Sequence, residues 1–338
     1  MAFHARKRRL LATTLATTLA LLAAVPAVPA AFAATPAIAQ SDYPNHAVKI
    51  IVSLPPGSGA DTTARFIAQH LSETFHQPFV VENRPGANGF IGARAAAEAA
   101  PDGYTLFIGS NSSMVTNAAV FKSLPYDPVK DFVPVARIAR FAMVVVVPSN
   151  SPYKSLADLV GAARKAPGKL NYAAGSAGYQ VYVELFHERF GIKGNPISYK
   201  GTAPAMTDTA AGNVEYSIGE ISSVLPLIRG GRLRALAVTD AHRLKELPQV
   251  PTVAESGAPG FEVTAWTGLF APAKVPAPVV KALSDAVRTG MQQPDSVKFI
   301  ENLGATVYPG DSKQLRDFQL AEIQRTRDIV KTAGIPVE

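Results

Sequence analysis

The sequence predicts an α/β fold with mixed, mostly parallel sheets flanked by helices, and three observations carry that expectation. Short apolar runs of strand length alternate with helical patterns from Val48 to the end of the chain. No repeat of solenoid period and no low-complexity linker interrupts the alternation. If the chain makes two lobes, they are therefore joined by strands that cross between them and not by a flexible tether. Finally, 338 residues at 47% hydrophobic and 17% charged suffice for two compact lobes, each with its own core. That composition also excludes a disordered chain or a coiled coil.

The elements follow in order. Residues 1–39 read as an export signal. Arg6, Lys7, Arg8 and Arg9 form a basic start, and Leu10–Val25 is an apolar stretch holding four threonines. Pro26 and Pro29 follow, with Ala31-Phe32-Ala33 and Ala37-Ile38-Ala39 as cleavage candidates near residue 33 or 39. The stretch is shorter than a membrane span and ends in prolines. Arg8-Arg9 also permits a twin-arginine route. A soluble, periplasmic mature protein is expected.

Strands are then predicted at Val48–Leu54, Phe79–Val81, Tyr104–Ile108, Met143–Val147, Leu170–Ala173, Ile197–Tyr199, Val214–Ile218 and Leu233–Val238. Helices are predicted at Asp61–Phe75, Ile91–Ala100 and Ser155–Lys165, the last with Ser155 and Asp158 in capping positions. Further helices fall at about 180–190, 204–211, 222–229, 277–291 and 312–333, the last stopped by Gly334 and Pro336.

The chemistry concentrates in loops at strand ends. Leu54-Pro55-Pro56-Gly57-Ser58-Gly59-Ala60-Asp61 joins a strand to a helix. Two glycines permit a sharp turn and a close ligand, and the helix start offers unpaired N–H groups and partial positive charge. Ser58, Thr62 and Thr63 add hydroxyls. Asp61 reads as the helix cap, since it would repel an anion. Ala173-Ala174-Gly175-Ser176-Ala177-Gly178 makes a second strand–loop–helix unit, with Tyr179 at the helix start. The two units could face each other across a cleft and clamp a carboxylate without an arginine. A third polar turn, Gly109-Ser110-Asn111-Ser112-Ser113, could line the same cleft.

A dinucleotide site is the enzyme alternative. Gly57-x-Gly59-x-x-Thr62 follows a strand and opens a helix, and Glu82 stands where a ribose-binding acid would. Thr62 replaces the third glycine of that motif. The alternative would make the chain a periplasmic hydrolase or oxidoreductase.

These loops and their neighbours resemble the Bug family, the periplasmic receptors of tripartite tricarboxylate transporters, from Tyr43 almost to the C-terminus. The resemblance rests on Ile51–Arg65 (IVSLPPGSGADTTAR), Val81–Gly92 (VENRPGANGFIG), Leu124–Val135 (LPYDPVKDFVPV), Tyr199–Ala205 (YKGTAPA), Arg229–Thr239 (RGGRLRALAVT), Leu247–Phe261 (LPQVPTVAESGAPGF) and Trp266–Ala273 (WTGLFAPA). It implies a two-lobed type 2 periplasmic binding-protein fold that closes like a flytrap. One lobe would comprise 40–142 plus 266–338 and the other 143–265, with crossings at Phe141–Val147 and Val263–Phe270.

The resemblance implies that Pro55–Asp61 and Ala173–Tyr179 hold a small carboxylate, with Gly201, Thr202, Gly219, Glu220 and Trp266 also candidates for the site. Trp266 could line the cleft or pack in the hinge, and Tyr179 could wall the ligand or pack on the lobe. The implied partners are membrane permease subunits, or a sensor protein. No cofactor, metal or nucleic acid is implied, and a monomer is expected.

Two departures from the family pattern matter. The second-lobe loop is shorter and lacks a histidine that follows in relatives. In the pattern G-x-V-D-x-x-x-D, the second acid is replaced by Gly219, with Glu220 beside it. Without that acid an ammonium group loses its partner, so a carboxylate without an α-amino group is expected.

Other motifs read as structure. Ser151-Pro152-Tyr153-Lys154 matches S-x-x-K of penicillin-recognising enzymes, but no K-T-G follows and the serine sits in a proline turn. His46, His70, His76, His187 and His242 form no metal-ligand spacing, and no cysteine exists to ligate a metal or form a disulfide. Arg229, Arg232 and Arg234 lack the interleaved aromatics of a nucleic-acid patch. The formal charge of +7 falls to +3 without residues 1–39, so the excess is mostly export signal.

Overall fold

The computed structural model describes residues 43–332, 334, 335 and 337, so the export segment lies outside the described residues. β1 (Val48–Val52) is buried on both faces except at Lys49. It feeds α1 (Gly59–Phe75), which lays Ala64, Ile67, Ala68 and Leu71 against the sheet. Burying an Ile or Leu side chain of this kind contributes roughly 1.5–3 kcal/mol. β2 (Phe79–Asn83), α2 (Phe90–Ala97) and β3 (Thr105–Ser110) complete a parallel unit in the order β2-β1-β3. Where the sequence suggested a polar turn after β3, Ser112–Thr116 form a π-helical turn that continues into α3 (Asn117–Val120).

β4 (Phe132–Pro148) is a 17-residue strand. Its second half was expected from the valines at 144–147; its first half was not, because Pro134, Arg137 and Arg140 break the apolar run. The strand accommodates Pro134 and Arg137 next to register shifts, and the Arg137 guanidinium stacks 4.0 Å from the Tyr308 ring centre.

The chain then builds α4 (Leu156–Lys165), β5 (Asn171–Ala174), α5 (Ala177–Phe190), β6 (Asn195–Ser198), α6 (Thr202–Ala211), β7 (Tyr216–Glu220), α7 (Ile221–Arg229) and β8 (Leu233–Val238). α4 starts on the expected capping box of Ser155 and Asp158. β9 (Thr264–Pro272) returns alongside β4, and α8 (Ala277–Met291), α9 (Pro294–Asn302), β10 (Ala305–Gly310) and α10 (Ser312–Thr332) follow. α9 and β10 are additional to the expected elements.

The fold is two-lobed α/β, with strand order β2-β1-β3-β9-β4-β7-β5-β6. The pairing is more evenly mixed than strand–helix alternation suggests. β1-β2, β1-β3, β5-β6 and β5-β7 are parallel, whereas every pairing made by β4 or β9 is antiparallel. β4 belongs to both sheets: residues 132–142 pair with β9, and residues 143–148 pair with β7 or β8. The carboxyl ends of β1, β3, β5 and β7 carry the loops named above. No helix of the described residues is long and apolar enough to cross a membrane.

Candidate functional site

The first loop is fixed from within. Ser58 has extended backbone and caps α1, its hydroxyl accepting from the Asp61 N–H at 3.2 Å. This corrects the expectation that Asp61 is the cap. Asp61 sits in the first turn, and its carboxylate turns back to accept the Gly57 N–H at 2.9 Å. It also accepts from Asn83 Nδ2 at 2.9 Å and pairs with Arg65 at 3.0 Å. Burial acts to raise the Asp61 carboxyl, but the Gly57, Arg65 and Asn83 bonds outweigh it and hold it below the ordinary aspartate range. Asp61 thus shapes the loop and leaves the helix start to another anion. Leu54 offers its carbonyl to Asn83, and Pro55 and Gly57 lie exposed at the tip. Thr62 is partly buried one turn in.

Gly57 has φ +79°, and no neighbour lies within 4 Å of where its β-carbon would stand. Gly59 is different: a β-carbon there would lie 2.9 Å from the Phe141 ring and 3.1 Å from Glu220 Oε2. The glycine therefore admits side chains of β4 and β7 against the α1 N-terminus. Glu82, placed for a ribose in the dinucleotide alternative, pairs instead with Lys49 at 2.8 Å and Arg84 at 2.5 Å. Both features of that alternative have structural employment.

The second loop starts at Ala174, whose carbonyl accepts from Tyr199. Gly175 packs directly on Gly201 and Thr202 at the start of α6; a β-carbon would stand 2.8 Å from the Thr202 nitrogen. Gly201 holds φ +121° and donates to the Gly175 carbonyl at 3.0 Å. Ser176 is the residue before α5, with extended backbone, and its buried hydroxyl has no hydrogen-bond partner among the described residues. Ala177 and Gly178 open α5. A β-carbon on Gly178 would lie 2.6 Å from Ser112 Oγ, so the second and third loops touch. Asn111 Nδ2 donates to the Tyr182 hydroxyl, and Ser110 is buried with its N–H bonded to Ser113 Oγ.

The Tyr179 hydroxyl donates to Glu220 Oε1 at 2.6 Å. Burial, with the neighbouring Glu220 carboxyl, pushes the Tyr179 phenol well above its ordinary range, and Thr202 opposes the shift. Burial also raises the Glu220 carboxyl above the ordinary glutamate range, although the Tyr179 bond offsets part of the effect. Gly219 points away from this meeting point: a β-carbon would stand 2.8 Å from Met206 Sδ and 2.9 Å from Val224. The alternation of β7 therefore sends position 219 into the second core and position 220 to the cleft.

A continuous path of contacts thus joins the α1 start, Glu220, Tyr179, the α5 start and the Ser110–Ser112 segment. Trp266 stands elsewhere. It is 2% exposed, packs edge-on against Phe318 and lines a cavity of about 210 Å³ with Arg140, Tyr182 and Arg325. Phe141 and Tyr182 are cleft neighbours that the sequence reading did not single out. The helical spacing of Tyr179 and Tyr182 was the available signal for the second. The reading also missed a polar cluster behind α5: Tyr172 OH donates to Glu184 at 2.5 Å, and His187 lies 3.1 Å from Glu184 and 2.5 Å from the Tyr216 hydroxyl. Burial pushes the Glu184 carboxyl up, but the His187 and Tyr172 bonds more than reverse it.

The remaining motifs are structural. Lys154 Nζ donates to the Ser151 carbonyl at 2.9 Å, and Arg234 donates to the carbonyls of Ser149, Ser151 and Tyr153. No group of three or more potential metal-ligating side chains occurs among the described residues.

Comparison with known proteins bears on the family and the fold. The model of the tripartite tricarboxylate transporter family receptor matches residues 63–335. Protein BugT of Bordetella pertussis is 35% identical over 300 residues, covering 88% of this chain and 92% of BugT. An R. palustris protein solved with adipate is 36% identical, with TM-score 0.83 over 87% of this chain and 99% of its own. MatC of Rhodopseudomonas palustris, solved with bound malate, is 32% identical, with TM-score 0.79 over 85% of this chain and 100% of MatC. This chain belongs to the tripartite tricarboxylate transporter receptor family, the solute-binding receptors that include the Bug proteins.

Proposed function

We propose that this chain is a periplasmic receptor that captures a small carboxylate without an α-amino group and delivers it to the membrane permease subunits of a tripartite tricarboxylate transporter. The observation that carries the reading is the linking of the α1 start to α5 through Glu220 and Tyr179, with no lysine or arginine paired to Glu220 among the described residues. Helix starts present backbone N–H groups and partial positive charge to an anion, and hydroxyls add directional donors. The relatives solved with adipate and malate support an amine-free carboxylate.

In this reading the lobes are 40–142 plus 266–338 and 143–265, and residues 1–39 are removed on export. Closure buries the ligand and forms the surface the permease reads. The cleft binds without turnover, in keeping with its family of receptors. Calorimetry of the mature protein against adipate, malate, aspartate, glutamate and uncharged analogues tests the proposal. Saturable binding of the amine-free dicarboxylates, unchanged after incubation, is expected. Binding confined to cationic or uncharged solutes would overturn it.

A further inference from the structure

We infer that Glu220 meets the ligand as a carboxylic acid, donating its proton to a ligand carboxylate seated on the α1 start, so that capture takes up a proton wherever Glu220 is ionised in the free receptor. The inference rests on the carboxylate reading above and specifies how the site recognises that charge.

The α1 start determines where the ligand anion sits. Ser58 satisfies the Asp61 N–H with its hydroxyl and the Thr62 N–H with its carbonyl. The N–H groups of Gly59 and Ala60 are thereby left, among the described residues, to an external acceptor. Glu220 Oε2 stands beside that helix start, 3.1 Å from the β-carbon position of Gly59. A ligand carboxylate accepting from those N–H groups comes within reach of Oε2. Two ionised carboxylates in contact repel strongly, so such pairs share a proton.

Among the described residues, the surroundings supply nothing else to neutralise the pair. Glu220 faces Phe141 of β4, Gly59 of α1, Tyr179 of α5 and Ser222 of its own α7. Tyr182 lies beyond Tyr179, with Glu322 and Arg325 of α10 behind it. Arg325 is engaged with Glu322 at 3.4 Å and with the Glu262 carbonyl at 2.9 Å. Burial already biases Glu220 toward its neutral form. A ligand ammonium would bring three protons to a place with one open carboxylate oxygen. The Tyr179 bond to Oε1 aims the carboxyl and leaves Oε2 to donate.

Glu220→Gln separates the possibilities, because the amide keeps a donor and an acceptor but does not titrate. Calorimetry uses adipate and malate across a pH series, in buffers of different ionisation enthalpy. The wild-type affinity is expected to fall by about tenfold per pH unit above the pKa of Glu220 in the unliganded protein, with proton uptake approaching one. Glu220→Gln is expected to bind with a flat profile and to exceed the wild type at alkaline pH. A flat wild-type profile, or loss of about 100-fold or more in Glu220→Gln at every pH, overturns the inference while leaving the receptor intact. Tighter binding of aspartate than of its amine-free analogue also overturns it. If no carboxylate binds at any pH, the receptor reading itself falls, and this inference with it.

Discussion

Asp61 uses both carboxylate oxygens on Gly57, Arg65 and Asn83, and so fixes the loop without blocking the α1 start proposed to hold the anion. Asp61→Ala removes bonds to Gly57, Arg65 and Asn83 at a side chain only 5% exposed. A loss of about 2–4 kcal/mol at neutral pH is expected, with ligand binding lost as Gly57–Gly59 loosen. The sign with pH follows from the lowered carboxyl. The stabilisation is present above the unfolded-state pKa and disappears as pH falls through the folded-state value. Denaturant unfolding at neutral and strongly acid pH should therefore show the gap between wild type and variant closing in acid. The glycines were legible at this scale because turn chemistry is local, but the cap was read at Asp61 and falls three residues earlier at Ser58, since both residue types cap well. Glu220 was only half legible. Its neighbour Gly219 marked a missing acid, but which of the two positions faces the cleft depends on strand alternation across β4 and β7.

Helix starts make the proposed site, and their spacing depends on a few close backbone approaches. Gly175→Ala would drive a methyl group to 2.8 Å from the Thr202 nitrogen, backbone against backbone. The α5 and α6 starts must then separate by some tenths of an ångström. Overpacking of this kind costs about 1–3 kcal/mol. The expected outcome is a lowered melting temperature together with weakened ligand binding, whereas Gly161→Ala, in the interior of α4 with nothing within 4 Å among the described residues, should raise the melting temperature slightly and leave binding unchanged. Elements with clean periodicity were legible in the sequence, among them α4 with its capping box and β8 at Leu233–Val238. The first half of β4 was not, because arginines stacked on Tyr308 do not look like strand interior. β10 has the same difficulty: Pro309 and Gly310 sit in a strand that pairs only with β4.

At the scale of the whole molecule, the proposed lobe division puts Ser112 and Gly178 in different lobes, where the two could be locked together. A β-carbon on Gly178 would stand 3.5 Å from Ser112 Cβ. That separation suits a disulfide. The chain has no cysteine, so Ser112→Cys with Gly178→Cys would contain a single defined pair. Thiol titration is expected to show faster bridge formation with ligand present, and the bridged protein should neither take up nor release ligand. Equal oxidation rates with and without ligand, with exchange undiminished after bridging, would contradict closure at this surface. The alternation of strands and helices made the α/β class legible, and the motif set made the two lobes legible. The antiparallel spine was hidden because its strands pair across long separations, which local pattern does not encode.

The shared strand also sets an order of assembly. β3 keeps an open edge until β9 pairs with it, and β9 begins at Thr264. The sheet begun at Val48 thus waits for the last quarter of the chain, while β5, β6 and β7 lie close together in sequence and can pair early. Synthesis order and completion order are opposed, and the earliest strands are the last to be sealed. A polypeptide built this way cannot complete its first sheet until β9 has emerged, which suits the export proposed for it.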